Sequence, residues 1–359
     1  MKKFLKTIII LFNLLAVFAL LVVYASVYIS PARFWMPALV SLAYPYILFI
    51  NILFILFWLL GSSKKAILSL AVILLGYKHL QNYFQLLPRE TTEEGIEFFS
   101  YNVKQFEGLD QQSSRKDISG KIFDFLETKN ADIICIQEMS HLGSKNLKNF
   151  KEKMERTGLP RYVHADRSGG PVTFSVFPII HKGEVQFEGT GNMFIFTDIV
   201  TGDDTLRIFN CHLQSYRFTP QDISHLDSIS FERQEKNLKE VRLFGSKLKQ
   251  AFIKRANQVD QLRGQIDQSP YPVIVCGDFN DTPVSYTYQK VKGTLKDAFV
   301  QSGSGIGNTY IGRLPSFRID YILHSDVYKA YNFTIGEVEY SDHYPVSCRL
   351  VRKKEKKQD

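Results

Sequence analysis

Residues 272–281 read PVIVCGDFND. Val273, Ile274, Val275 and Cys276, bounded by Pro272 and Gly277, have the length and composition of a buried β-strand, and the polar residues Asp278, Asn280 and Asp281 gather at its C-terminal lip. A strand end on a rigid sheet fixes side chains in place while the adjoining loop leaves room for a substrate. For this motif alone, a simple polar turn is an equal alternative. What separates the two readings is whether the pattern recurs.

It recurs along the chain. Residues 96–103 (IEFFSYNV) form a strand ending at Asn102, and residues 119–129 space Ile122, Phe123, Phe125 and Leu126 as a helix. That helix feeds a second strand, 131–138 (ADIICIQE), with Glu138 at its lip. Strands are expected at 169–180 and 183–187, and an antiparallel pair at 194–200 and 205–211, the last of which exits through Asn210 and His212. Residues 317–323 (FRIDYIL) are a strand whose alternation is broken by Asp320, and a carboxylate buried in such a run needs a partner. Asp342 and His343 precede the closing strand. Taken singly, Glu138 reads more readily as a solvated side chain, and His212 reads equally as a core histidine bonded to backbone. Helices are expected at 146–157, 231–266 and 285–291, short extended segments at 295–299 and 309–311, and a charged, disordered tail at 352–359.

The chain has 359 residues with 44 basic and 36 acidic side chains, a formal net charge of +8. This excess is local, because residues 1–88 carry Lys2, Lys3, Lys6, Arg33, Lys64, Lys65 and Lys78 and no acid. The remainder is near balance, so a chain-wide polyanion-binding surface is excluded and any such affinity must come from a patch. One candidate is 233–263, whose basic residues read as a solvated helix face or as a surface for phosphates or a membrane. Cys135, Cys211, Cys276 and Cys348 each lie within an apolar run and read as small core residues, with no zinc-type spacing.

Residues 8–29 are free of charge and, at about 1.5 Å per residue, match the roughly 30 Å hydrocarbon core of a bilayer. They read as a membrane span, with a signal peptide as the alternative. Residues 35–60 read as a second span with Trp35 and Trp58 near its ends. Residues 66–87 either span or lie on the surface as an amphipathic helix, and spanning is the favoured reading. The lysines before the first span and after the second favour a cytoplasmic location for both ends. If 66–87 crosses, the chain from residue 89 onward lies on the outer face; otherwise it stays cytoplasmic. The expected organisation is an anchor at 1–88 and a catalytic domain at 89–351.

The motifs SYNV (100–103), IQE (136–138), NCHLQS (210–215), GDFND (277–281), RIDYI (318–322) and SDHYPV (341–346), in this order, resemble the endonuclease/exonuclease/phosphatase superfamily over about residues 95–351. The resemblance implies an α/β (α+β) fold, a four-layer sandwich of two mixed β-sheets flanked by helices, here preceded by a transmembrane helical region. It also implies hydrolysis of a phosphoester (nucleic acid, phospholipid or soluble) with Mg²⁺, or Mn²⁺ in its place. Glu138, Asn102 and Asp342 would hold the metal, and Asp278 and Asn280 would activate and align a water. His343, oriented by Asp320, would act as base or phosphate donor, with His212 completing the cradle and Asn210 in support. Abasic-site nucleases place an acid two residues after the strand-end asparagine, where this chain has Lys104. That departure implies a site with one metal. A non-catalytic scaffold of the same fold is the alternative from another class, and no protein partner is expected.

Overall fold

The computed structural model describes residues 2–61, 63–109, 114–139, 162–165, 170–202, 204–219, 221–222, 234–312 and 317–354. The helix expected at 146–157 and most of the tail lie outside these residues. The chain divides into two compact units. One comprises Phe84–Ser215, Asp260–Asp281 and Lys292–Asp359; the other comprises Met1–Tyr83, Tyr216–Val259 and Thr282–Val291.

The first of these contains two sheets. The strands are β1 (Ile96–Asn102), β2 (Ile133–Gln137), β3 (Tyr162–Ala165), β4 (Val172–Ser175), β5 (Ile179–Gln186), β6 (Met193–Thr201), β7 (Asp204–His212), β8 (Val273–Asp278), β9 (Lys296–Asp297), β10 (Asp320–His324), β11 (Tyr328–Ile335) and β12 (Val346–Arg352). They form two six-stranded sheets, ordered β11-β12-β1-β2-β4-β3 and β5-β6-β7-β8-β10-β9. β1–β2 and β7–β8 pair in parallel and the other neighbours antiparallel, so both sheets are mixed.

Period-2 alternation explains how the sheets stack. Phe98, Ile133 and Cys135 from one sheet and Ile208, Ile274, Cys276 and Ile322 from the other form a common interior. The intervening residues Phe99, Tyr101, Ile134 and Ile136 face outward onto Ile118, Ile122, Phe123 and Leu126 of helix Arg115–Glu127. That helix starts where Ser114 Oγ accepts the Asp117 N–H. Strands covered on both faces account for the continuous apolar runs in the sequence.

The strand expected at 169–180 is divided. β4 stops at Ser175, and β5 begins at Ile179 in the other sheet. Pro178 falls at this crossing, where it has no N–H to give to a ladder. The segment 295–299 is likewise split into β9 and a helix, Ala298–Ser302, capped by Asp297. Asp297 uses both oxygens: Oδ1 accepts the Phe299 N–H at 2.9 Å, and Oδ2 accepts Arg318 Nη1 at 2.8 Å. The guanidinium lies between the rings of Phe299 and Tyr321, at 4.5 and 4.6 Å, and both charged side chains are fully buried.

In the second unit, helix Lys2–Ser26 contains a stretch long and apolar enough to cross a membrane, Phe4–Ser26. The single span expected at 35–60 is two helices, Met36–Leu42 and Tyr44–Leu59, bent by 65°. Pro45 lacks the N–H that would bond to the Ser41 carbonyl and its ring crowds that carbonyl, so the helix breaks at Ala43. The third apolar segment is also interrupted, as Ala66–Leu75 and Tyr77–Tyr83 on either side of Gly76. Buried amides tie these helices together: Asn13 donates to Ser69 Oγ at 2.7 Å and accepts from Trp58 Nε1 at 2.9 Å. Helix Gln234–Asp267 contributes Phe244, Leu248 and Phe252 to a cluster with Trp35, Ala38 and Leu42. Its Arg255, one of the basic residues read as solvated, is instead buried beside Tyr216 and Phe252.

Removing one partner of the Asp297–Arg318 pair leaves an uncompensated buried charge, which typically costs about 3–5 kcal/mol. Asp297→Ala is therefore expected to lower the free energy of unfolding of the sheet unit by that amount in denaturant titration. A loss below about 1 kcal/mol, the level of an exposed ion pair, would show that the pair is not buried in solution.

Candidate active site

Inner-facing positions at one end of the sandwich carry the polar residues. Asn102 follows Phe98 and Ser100 in the alternation of β1; Asp278 follows Ile274 and Cys276 in β8; Asp320 precedes Ile322 in β10. The register sets His212 of β7 opposite Asp278 in the parallel direction, and Asp320 opposite Asp278 in the antiparallel one. Glu138 is out of phase, because β2 directs Ile133, Cys135 and Gln137 inward and would send the next side chain out. A left-handed backbone at Glu138 (φ +54°) ends the strand and turns the carboxylate back to the lip.

At the lip, the amide of Asn102 joins carboxylates from both sheets. Asn102 Nδ2 donates to Glu138 Oε1 at 3.1 Å and to Asp278 Oδ2 at 3.0 Å, while its oxygen accepts the Lys104 N–H at 2.9 Å. The backbone donor from Lys104 fixes the orientation of this amide. Asn102, expected as an oxygen ligand, thus faces the carboxylates with its nitrogen. Asn280, also left-handed (φ +53°), donates its N–H to Asp278 Oδ1 at 2.8 Å, and its Nδ2 to Asp278 Oδ2 at 2.9 Å and to the Leu213 carbonyl at 3.0 Å. Gly277 makes this approach possible: a Cβ there would lie 2.1 Å from the Cys211 carbonyl oxygen, and its φ is +117°.

His343 Nδ1 donates to Asp320 Oδ2 at 2.9 Å, which leaves Nε2 facing Asp278 Oδ2 at 3.7 Å. The loop carrying it is docked by Ser341 Oγ, which donates to the Asn102 carbonyl at 2.8 Å, and Tyr310 lies edge-on to the imidazole. Thr309 Oγ1 accepts the Asp320 N–H. His212 Nε2 is 3.2 Å from Glu138 Oε1 and 3.8 Å from Asp278 Oδ2, yet buried without a hydrogen bond. Asp342 Oδ2 lies 3.4 Å from Lys104 Nζ. Asn210, expected in support of the chemistry, sits deeper between the sheets. It accepts Gln137 Nε2 at 2.7 Å and donates to the carbonyls of Ile136 and Val172, so it clamps the sheets together.

Burial pushes the Asp278 carboxyl up to about 6, against the pull of His343 and His212. For His343, burial opposes the charge, but Asp320 and Asp278 outweigh it and raise the pKa well above the ordinary imidazole value. Burial would also raise Glu138; His212, Asn102 and His343 together hold it below the usual range. Oxygen and nitrogen donors of Glu138, His212 and Asp278 lie within 4.8 Å of one another. Two carboxylates beside a hydrogen-bond-free imidazole nitrogen make a candidate donor set for a divalent cation. In the sequence Lys104 stands out only as a missing acid, and Thr309, Tyr310 and the Leu213 carbonyl do not stand out at all; no spacing distinguishes them.

The Endonuclease/Exonuclease/phosphatase family model matches residues 99–343, and the chain belongs to this family of phosphoester hydrolases. Residues 6–83 match a separate domain of unknown function (DUF8431). No curated protein matches. Among solved structures, an endonuclease/exonuclease/phosphatase from Beutenbergia cavernae is similar at 15% identity, covering 72% of this chain and 72% of its own, with a TM-score of 0.50. D. rerio TDP2 complexed with a single-strand DNA product is similar at 14% identity, covering 72% of this chain and 100% of its own, also with a TM-score of 0.50. These likenesses show the fold, two mixed sheets flanked by helices.

Gly277→Ala tests the backbone approach that seats Asp278. Forcing a methyl group against the Cys211 carbonyl is expected to destabilise the sheet unit by at least about 1–3 kcal/mol in denaturant titration. Wild-type stability in this variant would refute the close approach.

Proposed function

We propose that the chain is a membrane-anchored, Mg²⁺-dependent phosphoester hydrolase of the nuclease or phosphodiesterase type. The observation that carries this reading is the junction of Glu138, Asp278 and the Asp320–His343 pair around Asn102. Glu138, with Asp278 and His212 beside it, would hold the ion. When bound, the ion would neutralise charge developing on the phosphate oxygens. Asp278, fixed by two bonds from Asn280 and one from Asn102, orients a water and takes its proton. Asp320 holds the His343 ring so that Nε2 meets the phosphate, and the charge on the imidazolium stabilises the developing oxyanion. Single-stranded DNA is the first substrate to test, since the TDP2 neighbour was seen with a single-strand DNA product. A phospholipid is the second, favoured by the apolar helix Phe4–Ser26.

Full-length protein in detergent with Mg²⁺ would be assayed against DNA, RNA, phosphoinositides and sphingomyelin. On the substrate found, Glu138→Gln and Asp278→Asn are each expected to lower kcat by about 10²-fold or more with folding retained. Near wild-type turnover in either variant would remove that residue from the mechanism, and no turnover of any phosphoester by the wild type would refute the reading.

The location proposed for the catalytic domain is the non-cytoplasmic face, on the basis of Lys2, Lys3 and Lys6 before the first apolar segment and Lys64 and Lys65 after the second. A reporter phosphatase active only outside the cytoplasm, fused after Pro88, is expected to be active. A silent fusion there, with an active one after Arg33, would place the domain in the cytoplasm.

A further inference from the structure

Lys104 stands two residues after Asn102, and the backbone there is unusual. Lys104, Gln105 and Phe106 are consecutively left-handed, with φ of +46°, +53° and +62°. L-residues rarely adopt this region, and three in succession persist only where the surroundings impose them. Those constraints come from the site itself. The Lys104 N–H is bound to Asn102 Oδ1, the Gln105 N–H donates to the Glu138 carbonyl at 3.1 Å, and the Phe106 N–H donates to the Val103 carbonyl at 2.9 Å. Phe106 is buried against Phe123, which anchors the far end of the turn.

The turn delivers the ammonium to Asp342, the carboxylate of the lip whose other nearby cationic group among the described residues, His343 Nε2, stands further off, at 4.0 Å from Oδ1. Asp320 has His343, and Glu138 and Asp278 face His212. Asp342 has Lys104, with Nζ 3.4 Å from Oδ2 and also donating to the Gly108 carbonyl at 3.3 Å. The lysine side chain remains about one third exposed (32%), so at least part of it is open to an incoming anion. Asp342 precedes His343 in the chain, so the ammonium belongs to the edge of the site that also carries the imidazole.

We propose that Lys104 is a resident cation of the active site, which neutralises Asp342 and donates to a non-bridging phosphate oxygen, supplying there the positive charge that a second divalent ion would otherwise provide. The site then takes one divalent ion. This rests on the phosphoester-hydrolase reading of the same site, and it assigns Asp342 to Lys104 instead of to the metal. An ammonium is a point donor that tolerates several phosphate orientations, whereas a bidentate guanidinium would impose one.

The test uses the full chain in detergent, with Mn²⁺ as the ion, inorganic phosphate as the anion and bis(4-nitrophenyl) phosphate for turnover. Electron paramagnetic resonance is expected to count one Mn²⁺ per wild-type chain. Lys104→Gln should keep that count while weakening phosphate binding by about tenfold or more, and Lys104→Arg should stay within about threefold of wild type. Two Mn²⁺ in the wild type would overturn the proposal whatever the variants do, and so would an unchanged phosphate affinity in Lys104→Gln. If turnover is present and lost in Glu138→Gln while phosphate affinity ignores Lys104, only the lysine assignment falls. If the wild type binds neither Mn²⁺ nor phosphate and hydrolyses nothing, the functional reading falls and takes this one with it.

Discussion

Two carboxylates from opposite sheets, Asp278 buried and Glu138 half-buried, share one amide. Glu138 at the end of β2 and Asp278 at the end of β8 both accept from Asn102 Nδ2. Like charges brought together away from water repel each other and resist ionisation. A neutral donor between them relieves part of that cost without filling the place of a cation. The backbone around this point is shaped to permit it. Glu138 turns left-handed to reach the lip, Gly277 lets β8 press against Cys211, and the Lys104 N–H keeps the amide the right way round. Deeper in the sandwich, Asn210 performs a comparable task on uncharged groups, joining β7 to the Ile136 and Val172 carbonyls.

Much of this lip is legible in the sequence, because period 2 leaves little freedom. Once Ile274 and Cys276 face the interior, Asp278 must face the same way, and a carboxylate is tolerated there only at the strand end. The same holds for Asn102 and Asp320. Glu138 is different. Its parity points outward, and only the IQE motif connects it with the others. Asn210 marks the opposite limit: it has inner parity and stands two residues before His212, yet it lies inside the core. Alternation tells which face a side chain occupies and not how far along the strand the solvent begins.

Other features left no periodic trace. The Asp297–Arg318 pair joins residues 21 apart with no motif linking them. Composition rightly identified 35–60 as apolar, but hydropathy measures content and not direction, so the bend at Pro45 disappeared into the average. Residues 231–259 and 285–291 belong to segments that read as helical in sequence. Their grouping with the N-terminal helices depends on contacts such as those of Phe244 and Phe252 with the 35–42 region, which side-chain periodicity alone cannot assign.

Charge is distributed unequally among the four carboxylates of the lip. Asp320 and Asp342 each have a nearby cation, His343 and Lys104, at 2.9 and 3.4 Å. Glu138 and Asp278 have amide donors and share His212, whose Nε2 makes no hydrogen bond, and Asp278 also faces His343 Nε2 at 3.7 Å. Among the described residues the second pair has no cation hydrogen-bonded to it, so the least compensated negative charge of the lip lies there, where partial burial makes it costly. In the proposed reading, that excess is what draws a divalent cation to Glu138 and Asp278, while Lys104 and His343 supply fixed positive charge to an anion. A phosphoester accompanied by its metal ion answers both halves of this arrangement. A bare anion would meet two carboxylates with no hydrogen-bonded cation, and a bare cation would leave the lysine and the imidazolium without work to do, so the allocation of charge favours a ligand that carries both signs.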